Sequence, residues 1–319
     1  MKTYLPVTVI IPTYNRKKVL VDTINSFLQW TVIPDEIIVV DQNVPPLSKN
    51  DIAVNEEAHI RLLYCDTPSL TKARNIGIRN SRNDIILFSD DDILVDADSM
   101  MRFYNVMKHS TVALCAGVDT NSQKSSPIIN RVFGTLIGMQ NFMKSGGYVV
   151  RHTMRGRYSL REGRSSYKTD WAMGYFFGVK KTLVEKWQVY FDERLQGYAY
   201  AEDLDFTIRY CNSARCENLE CVLNCAIYVN HLATQEWRTP TVKNMYYLVA
   251  NRLYLLHKYY PNYILWPMKW NNLCYSFMLP KEERKAYNAI RRICMQNVDS
   301  LRLGEIDEVF REIDSLDKH

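Results

Sequence analysis

Ser89-Asp90-Asp91-Asp92 directly follows the apolar run Asp84–Phe88 and sets three carboxylates side by side. Adjacent carboxylates at the end of a buried strand repel one another. Such a cluster persists only where a cation or hydrogen-bond donors offset the repulsion. In extended chain, residues i and i+2 point the same way. Asp90 and Asp92 are therefore expected on one face, with Asp91 turned aside. One or two carboxylates with phosphate oxygens and water make an ordinary Mg²⁺ or Mn²⁺ environment. The alternative is an acidic loop, or a helix N-cap that Asp96 or Asp98 could equally supply.

Other residues offer complementary chemistry. Asp41 ends a neighbouring apolar run, where a carboxylate can hydrogen-bond a ribose or base edge. Lys72 and Arg74, early in an expected helix, could reach a diphosphate, or could be ordinary surface charges. Glu202-Asp203, with Asp205, is a second acidic group. A carboxylate there can act as general base towards a hydroxyl, or can simply favour the start of a helix. His231 follows Asn230 at the end of another apolar run, as a structural histidine or a metal ligand.

The elements that must position these residues follow from periodicity. Val7–Ile11, Glu36–Val40, Ile60–Tyr64, Asp84–Phe88 and Val112–Val118 are short apolar runs. Helix-like stretches lie between them, up to about Trp30 and from Ser69 to Ser81. Val19, Leu20, Thr23, Ile24, Phe27 and Leu28 form the apolar stripe of the first. This alternation predicts an α/β protein with a mostly parallel sheet covered on both faces. Ligands bind beyond the carboxyl ends of such strands, here Pro12–Arg16, Asp41 and Ser89–Asp92. Further on, Gly174–Val179 reads as a strand and Lys181–Gln188 as a helix. A helix from about Ala201 to Ser213 and a strand over Leu219–Val229 follow. After Thr239 the chain reads as helical, with an acidic helical tail.

Composition narrows the classes. The chain has 319 residues, 47% hydrophobic, 12% aromatic and 24% charged. It is long enough for a full core and too rich in aromatics for disorder. Forty Lys and Arg against 35 Asp and Glu give a net charge of +5. That permits an anionic ligand without pointing to nucleic acid, which is not expected as a partner. The eight cysteines lack the close pairs of a zinc site, so reduced, structural thiols are expected. The opening MKTYLPVTVIIPTYNR makes a poor signal peptide, and no run of 18 apolar residues occurs. A cytoplasmic protein is expected.

Two segments carry concentrated positive charge. Arg151, Arg155, Arg157, Arg161, Arg164 and Lys168 oppose only Glu162 among several glycines. This reads as a mobile basic loop, either merely solvated or a lid or phosphate-docking surface. In the C-terminal helices, Tyr246, Tyr247, Tyr254, Tyr259, Tyr260, Tyr263, Trp266 and Trp270 mix with Arg252, Lys258 and Lys269. Such a mixture suits peripheral contact with a membrane interface over 240–296. It equally suits a helical cap on the catalytic unit or on a second subunit.

Taken in order, PTYNR at 12–16, IIVVD at 37–41, KARNIGI at 72–78, ILFSDDD at 86–92, FDE at 191–193, AEDLDF at 201–206 and NH at 230–231 resemble a family 2 glycosyltransferase with the GT-A fold. The resemblance covers roughly residues 5–235, and the ordered set is far more specific than any one motif. It implies a GT-A domain over 1–238, with a nucleotide-binding half to about 120 and an acceptor half from 121. A helical extension over 239–319 would follow. It implies inverting transfer from a nucleotide-diphosphate sugar, a UDP-sugar foremost, to the hydroxyl of a saccharide or lipid-linked saccharide. Bacterial cell-surface polysaccharide or glycolipid synthesis, at the inner face of the cytoplasmic membrane, is the implied setting. By the family's pattern Pro12, Tyr14 and Asp41 hold the base, and Arg16, Lys72, Arg74 and Asp91 sit on the nucleotide side. Asp90 contacts the ribose. Asp92 and His231 bind Mn²⁺ or Mg²⁺ at the diphosphate. Asp203 is the catalytic base, and Glu202, Trp171 and Gly174 belong to the acceptor side.

One departure bears on the donor. The family often has a second Asp and a Gly after the base-binding Asp, as in DDGS, whereas this chain has Asp41-Gln42-Asn43. The choice of nucleotide is left open by it. A sugar-nucleotide pyrophosphorylase, the alternative enzyme class, would carry a Gly-rich, Arg-containing phosphate loop after the first strand, and PTYNR has no Gly. A catalytically silent nucleotide-sugar-binding module would not need Asp92, Asp203 and His231 intact.

Overall fold

A computed structural model describes residues 2–52, 59–120, 127–195, 199–232 and 241–316. Its N-terminal half is the expected α/β layer. Strands β1 (Thr3–Thr13), β2 (Val32–Asp41), β3 (His59–Tyr64) and β4 (Ile85–Ser89) are parallel in the order β3-β2-β1-β4. Helices α1 (Lys17–Leu28) and α2 (Leu70–Asn80) connect them. The continuous apolar runs follow from burial on both faces. Val7, Val9, Ile11, Ile85 and Leu87 pack against α1 residues Leu20, Ile24 and Phe27. Their neighbours Ile10, Ile86 and Phe88 pack on the other face with Ala73 and Ile78 of α2. Each such side chain contributes about 1.5–3 kcal/mol on burial.

The sheet then becomes mixed rather than mostly parallel. Next come β5 (Ile93–Val95), α3 (Ala97–Met107) and β6 (Val112–Asp119). After the hairpin region lie β9 (Ser166–Lys168), β10 (Phe176–Lys180), α5 (Lys181–Trp187), α6 (Glu202–Cys216) and β11 (Glu220–His231). β10 inserts antiparallel between β4 and β6, and β11 runs parallel to β6 but antiparallel to β5 and β9. Asp96 caps α3 by accepting from the backbone N–H groups of Asp98 and Ser99. The helix-cap role therefore falls to Asp96 and leaves Asp90–Asp92 for other work.

The stretch expected as a mobile basic loop is instead largely built in. After α4 (Ile128–Leu136), β7 (Gly146–Val150) and β8 (Arg155–Ser159) form an antiparallel hairpin. Arg155 donates from Nε to Asn271 Oδ1, and Arg157 to the Met139 carbonyl. Gly156 is required here, since a Cβ would lie 2.4 Å from the Trp171 ring. Arg151, Arg161, Arg164 and Lys168 stay exposed. All eight cysteines are free thiols.

Helix α7 (Thr241–Tyr259) is a core helix and not a membrane-facing one. Tyr246, Tyr247, Tyr254 and Arg252 are buried, which corrects the interfacial reading for this helix. α8 (Trp266–Met278), α9 (Lys281–Gln296), α10 (Val298–Leu303) and α11 (Ile306–Leu316) complete the C-terminal bundle. The expected domain boundary at 238/239 lies outside the described residues. α7 is tied to α6 through fully buried Asp205. Its Oδ1 accepts from Lys258 Nζ and Tyr259 Oη at 2.7 Å each, and its Oδ2 accepts from Arg209 Nη2 at 2.6 Å. Replacing Asp205 with Ala strips partly buried Arg209 of its carboxylate partner and leaves Lys258 with Asp192 as its ion partner. Allowing for their residual hydration, the expected loss is about 2 kcal/mol, read as a lower urea midpoint with unchanged slope.

Candidate active site

The carboxyl ends of β1, β2 and β4 converge, with Thr13 in register with Asp41. Asp91, buried behind the cleft, accepts from Thr13 Oγ1 at 2.8 Å and Arg16 Nη1 at 2.8 Å. Its carbonyl accepts from Thr23 of α1. Asp91 therefore anchors the loop through both carboxylate oxygens and its carbonyl. Arg16 reaches on to Asp92 Oδ2 at 2.6 Å, so the PTYNR loop and the aspartate run are locked together. Burial pushes the Asp91 carboxyl up to about 7 despite Arg16 and Thr13.

Asp90, Asp92 and His231 bring three ligand atoms within 4.8 Å of one another. His231 arrives because β11 pairs with β5, placing His231 opposite Ile93 and Leu232 N–H on the Asp92 carbonyl. His231 Nε2 lies 3.0 Å from Asp92 Oδ1. That hydrogen bond raises the His231 pKa. Burial opposes ionisation of Asp92, but the His231 hydrogen bond and charge and Arg16 outweigh it, and the net direction is down. Tyr175 stacks on the imidazole at 5.9 Å, and its hydroxyl accepts from Asp119 N–H. Two carboxylates and an imidazole suit Mn²⁺ or Mg²⁺ as a donor set. Among the described residues this is the one such group of three.

The remaining donor-side candidates divide. Pro12 is buried in β1 and Tyr14 half-buried just beyond it. Asp41 is 1% exposed and holds its own loop. Oδ1 accepts from Asn43 N and Nδ2, and Oδ2 from Leu47 N. Both oxygens are thus engaged by the segment that departs from the family's Asp-Gly pattern. Lys72 is paired at the surface with Asp66 at 2.6 Å and is not brought into the triad.

Arg74 does what sequence spacing could not show. It is fully buried and bridges the two acidic groups, donating to Asp90 Oδ1 at 3.1 Å, Glu202 Oε1 at 2.6 Å and the Gly174 carbonyl at 3.0 Å. α6 begins after Ala199 and Ala201, both at positive φ, a strained turn that aims Glu202 and Asp203 into the cleft. Asp203 Oδ2 accepts from Gly174 N–H at 2.8 Å and Oδ1 from Leu204 N–H at 2.7 Å. Burial raises the pKa of both Glu202 and Asp203. The repulsion of Asp203 adds to it at Glu202, and together they outweigh Arg74. Glu202 is buried, whereas Asp203 keeps partial exposure. Trp171 is 5% exposed, wedged against Gly156 and Tyr158. It packs behind the stretch that leads to Gly174.

Gly174 is a close approach. A Cβ there would sit 3.1 Å from Arg74 Nη2 and 3.2 Å from Glu202 Oε1. Gly174→Ala should displace the Arg74–Glu202 pair by tenths of an ångström. Turnover is expected to fall about tenfold with little change in melting temperature, measurable by steady-state kinetics beside thermal denaturation.

A parallel α/β layer, an Asp-x-Asp turn at its carboxyl edge and a second acidic group on the inserted half are features of the GT-A glycosyltransferase class. The profile of Glycosyl transferase family 2 matches residues 8–187. The chain belongs to that family. It is 33% identical over 99 residues to the uncharacterized glycosyltransferase EpsJ of Bacillus subtilis, a match over 30% of this chain and 28% of that protein. It is 24% identical over 130 residues to the O-antigen chain rhamnosyltransferase RfbN of Salmonella typhimurium, over 39% of this chain and 40% of that one. The matched segments thus span well under half of either relative. A crystal structure of GalNAc-T7 with UDP, GalNAc and Mn²⁺ superposes with a TM-score of 0.53 at 12% identity, over 80% of this chain and 51% of that one. At that identity the likeness shows the fold alone.

Proposed function

We propose that this chain transfers a sugar, with inversion, from a nucleotide-diphosphate sugar to an acceptor hydroxyl in cell-surface polysaccharide or glycolipid synthesis. Residues 1–238 would form the catalytic unit and 239–319 its helical extension. The observation that carries the reading is the division of one cleft. Asp90, Asp92 and His231 stand on one side and Glu202 and Asp203 on the other, with Arg74 joining them. A divalent cation held by Asp92 and His231, with Asp90 beside them, would neutralise charge developing on the diphosphate leaving group. Arg16 fixes the orientation of Asp92. Asp203, held by two backbone N–H groups, takes the proton of the attacking hydroxyl. Glu202, held in place by Arg74, orients the acceptor. The acceptor is a saccharide or lipid-linked saccharide, worked on at the inner face of the cytoplasmic membrane.

Incubation with a panel of nucleotide sugars, UDP-sugars included, with Mn²⁺ or with EDTA tests this. Release of nucleotide diphosphate is expected with Mn²⁺, and the product's anomeric coupling constant should show inversion. Release of sugar 1-phosphate would mark a pyrophosphorylase. Nucleotide-sugar binding without turnover would mark a silent module.

A further inference from the structure

Helix α4 carries its apolar stripe on the wrong side for a globular protein. Ile129, Val132, Phe133 and Leu136 recur at i, i+3, i+4 and i+7, the spacing by which a helix normally faces the core. Here the stripe faces outward. Ile129 is 75% exposed, and Gly134 is the helix's one buried residue. α8 continues the surface. Trp266, 66% exposed, stacks on Trp270 with ring centroids 6.0 Å apart. The Trp270 indole N–H donates to the Leu136 carbonyl at 3.0 Å, which joins the two helices into one patch. α9 behaves oppositely, turning Tyr287, Ile290 and Cys294 inward. Large contiguous apolar patches are rare on monomers and mark interaction sites.

Charge decides the occupant. The sequence holds no Asp or Glu between Asp119 and Glu162, while seven Lys or Arg fall there. It holds none between Glu236 and Glu282 either. Arg131 lies on α4 and Lys269 between the two tryptophans, with Arg151 in the turn that packs against α8. A second copy seated by two-fold symmetry would set these cations against themselves. An anionic lipid surface meets both features, because aliphatic and indole groups enter the headgroup boundary while Lys and Arg meet lipid phosphates. No described helix is long and apolar enough to cross a membrane.

We propose that the α4–α8 face is a docking surface for an anionic bilayer, with the chain lying on the membrane and not through it. The proposal does not depend on the transfer reaction. α4 begins nine residues after Asp119, whose Oδ1 accepts from His231 N–H at 3.5 Å, so the surface starts within about 30 Å of the metal-ligand group. A lipid-borne acceptor could therefore be presented along it.

The full chain is tested by flotation with vesicles of phosphatidylcholine alone or with phosphatidylglycerol. Binding is expected with phosphatidylglycerol, weakened by raised salt. It should drop at least about tenfold in an Ile129→Glu, Trp266→Glu variant whose melting temperature and nucleotide-sugar turnover match the parent. Equal binding to both vesicle types, or binding to neither, overturns the proposal. So does a dimer in sedimentation that the same substitutions dissolve, which would assign the face to a second copy. Absence of nucleotide-sugar turnover in the parent chain, with its vesicle binding as expected, would count against the transferase reading alone.

Discussion

Replacing Asp203 with Asn is expected to lower kcat by about 10²–10⁴-fold, the usual contribution of a positioned general base, while nucleotide-sugar binding changes little. The substitution keeps the shape of the side chain. Its amide oxygen can still accept from Gly174 or Leu204 N–H, so the strained turn before α6 should hold. What it removes is the capacity to take a proton. The pH profile carries a second check. Burial pushes the Asp203 carboxyl up to about 6, above the ordinary range near 3.9. A base works only when ionised, so activity should be lost as pH falls through that value. In the Asn variant the residual rate should lack this acidic limb. Full activity with the limb unchanged would assign the proton to another group.

The parallel half of the fold was legible because burial on both sheet faces leaves unbroken apolar runs, as in Val7–Ile11 and Asp84–Phe88. Asp91 turns aside as expected, to Thr13 and Arg16, although Asp91 and Asp92 lie in a turn beyond the strand and not in extended chain. β5 is three residues long, too short for periodicity to register, yet its pairing with β11 brings His231 to Asp92 across 139 positions. Arg74 was singled out, but nothing local in KARNIGI shows that a buried guanidinium will span Asp90 and Glu202, 128 residues away. The C-terminal aromatics were ambiguous for a different reason. Tyr, Trp, Lys and Arg suit an interface or a cap equally, and only packing separates α7, whose tyrosines are largely buried, from α8, whose tryptophans face outward.

Asp92→Asn should be the most damaging change on the donor side. The Asp92 carboxylate meets Arg16 through one oxygen at 2.6 Å and His231 through the other at 3.0 Å. Asn keeps the size but removes the charge that both partners answer. Without it the raised His231 pKa should fall back, since its first cause is the Asp92 hydrogen bond. A cation held at this point is worth several kcal/mol to a charged leaving group, so loss of the site should lower turnover about 10²–10⁴-fold. Mn²⁺ binding, followed by titration calorimetry without donor, should weaken in parallel. Asp91→Asn gives the contrast. Asp91 is turned to Thr13 and Arg16, so its substitution should lower stability while Mn²⁺ affinity stays close to the parent's. If EDTA leaves turnover intact and Asp92→Asn behaves like Asp91→Asn, the Asp90–Asp92–His231 group is a structural ion-pair cluster and the leaving group is stabilised elsewhere.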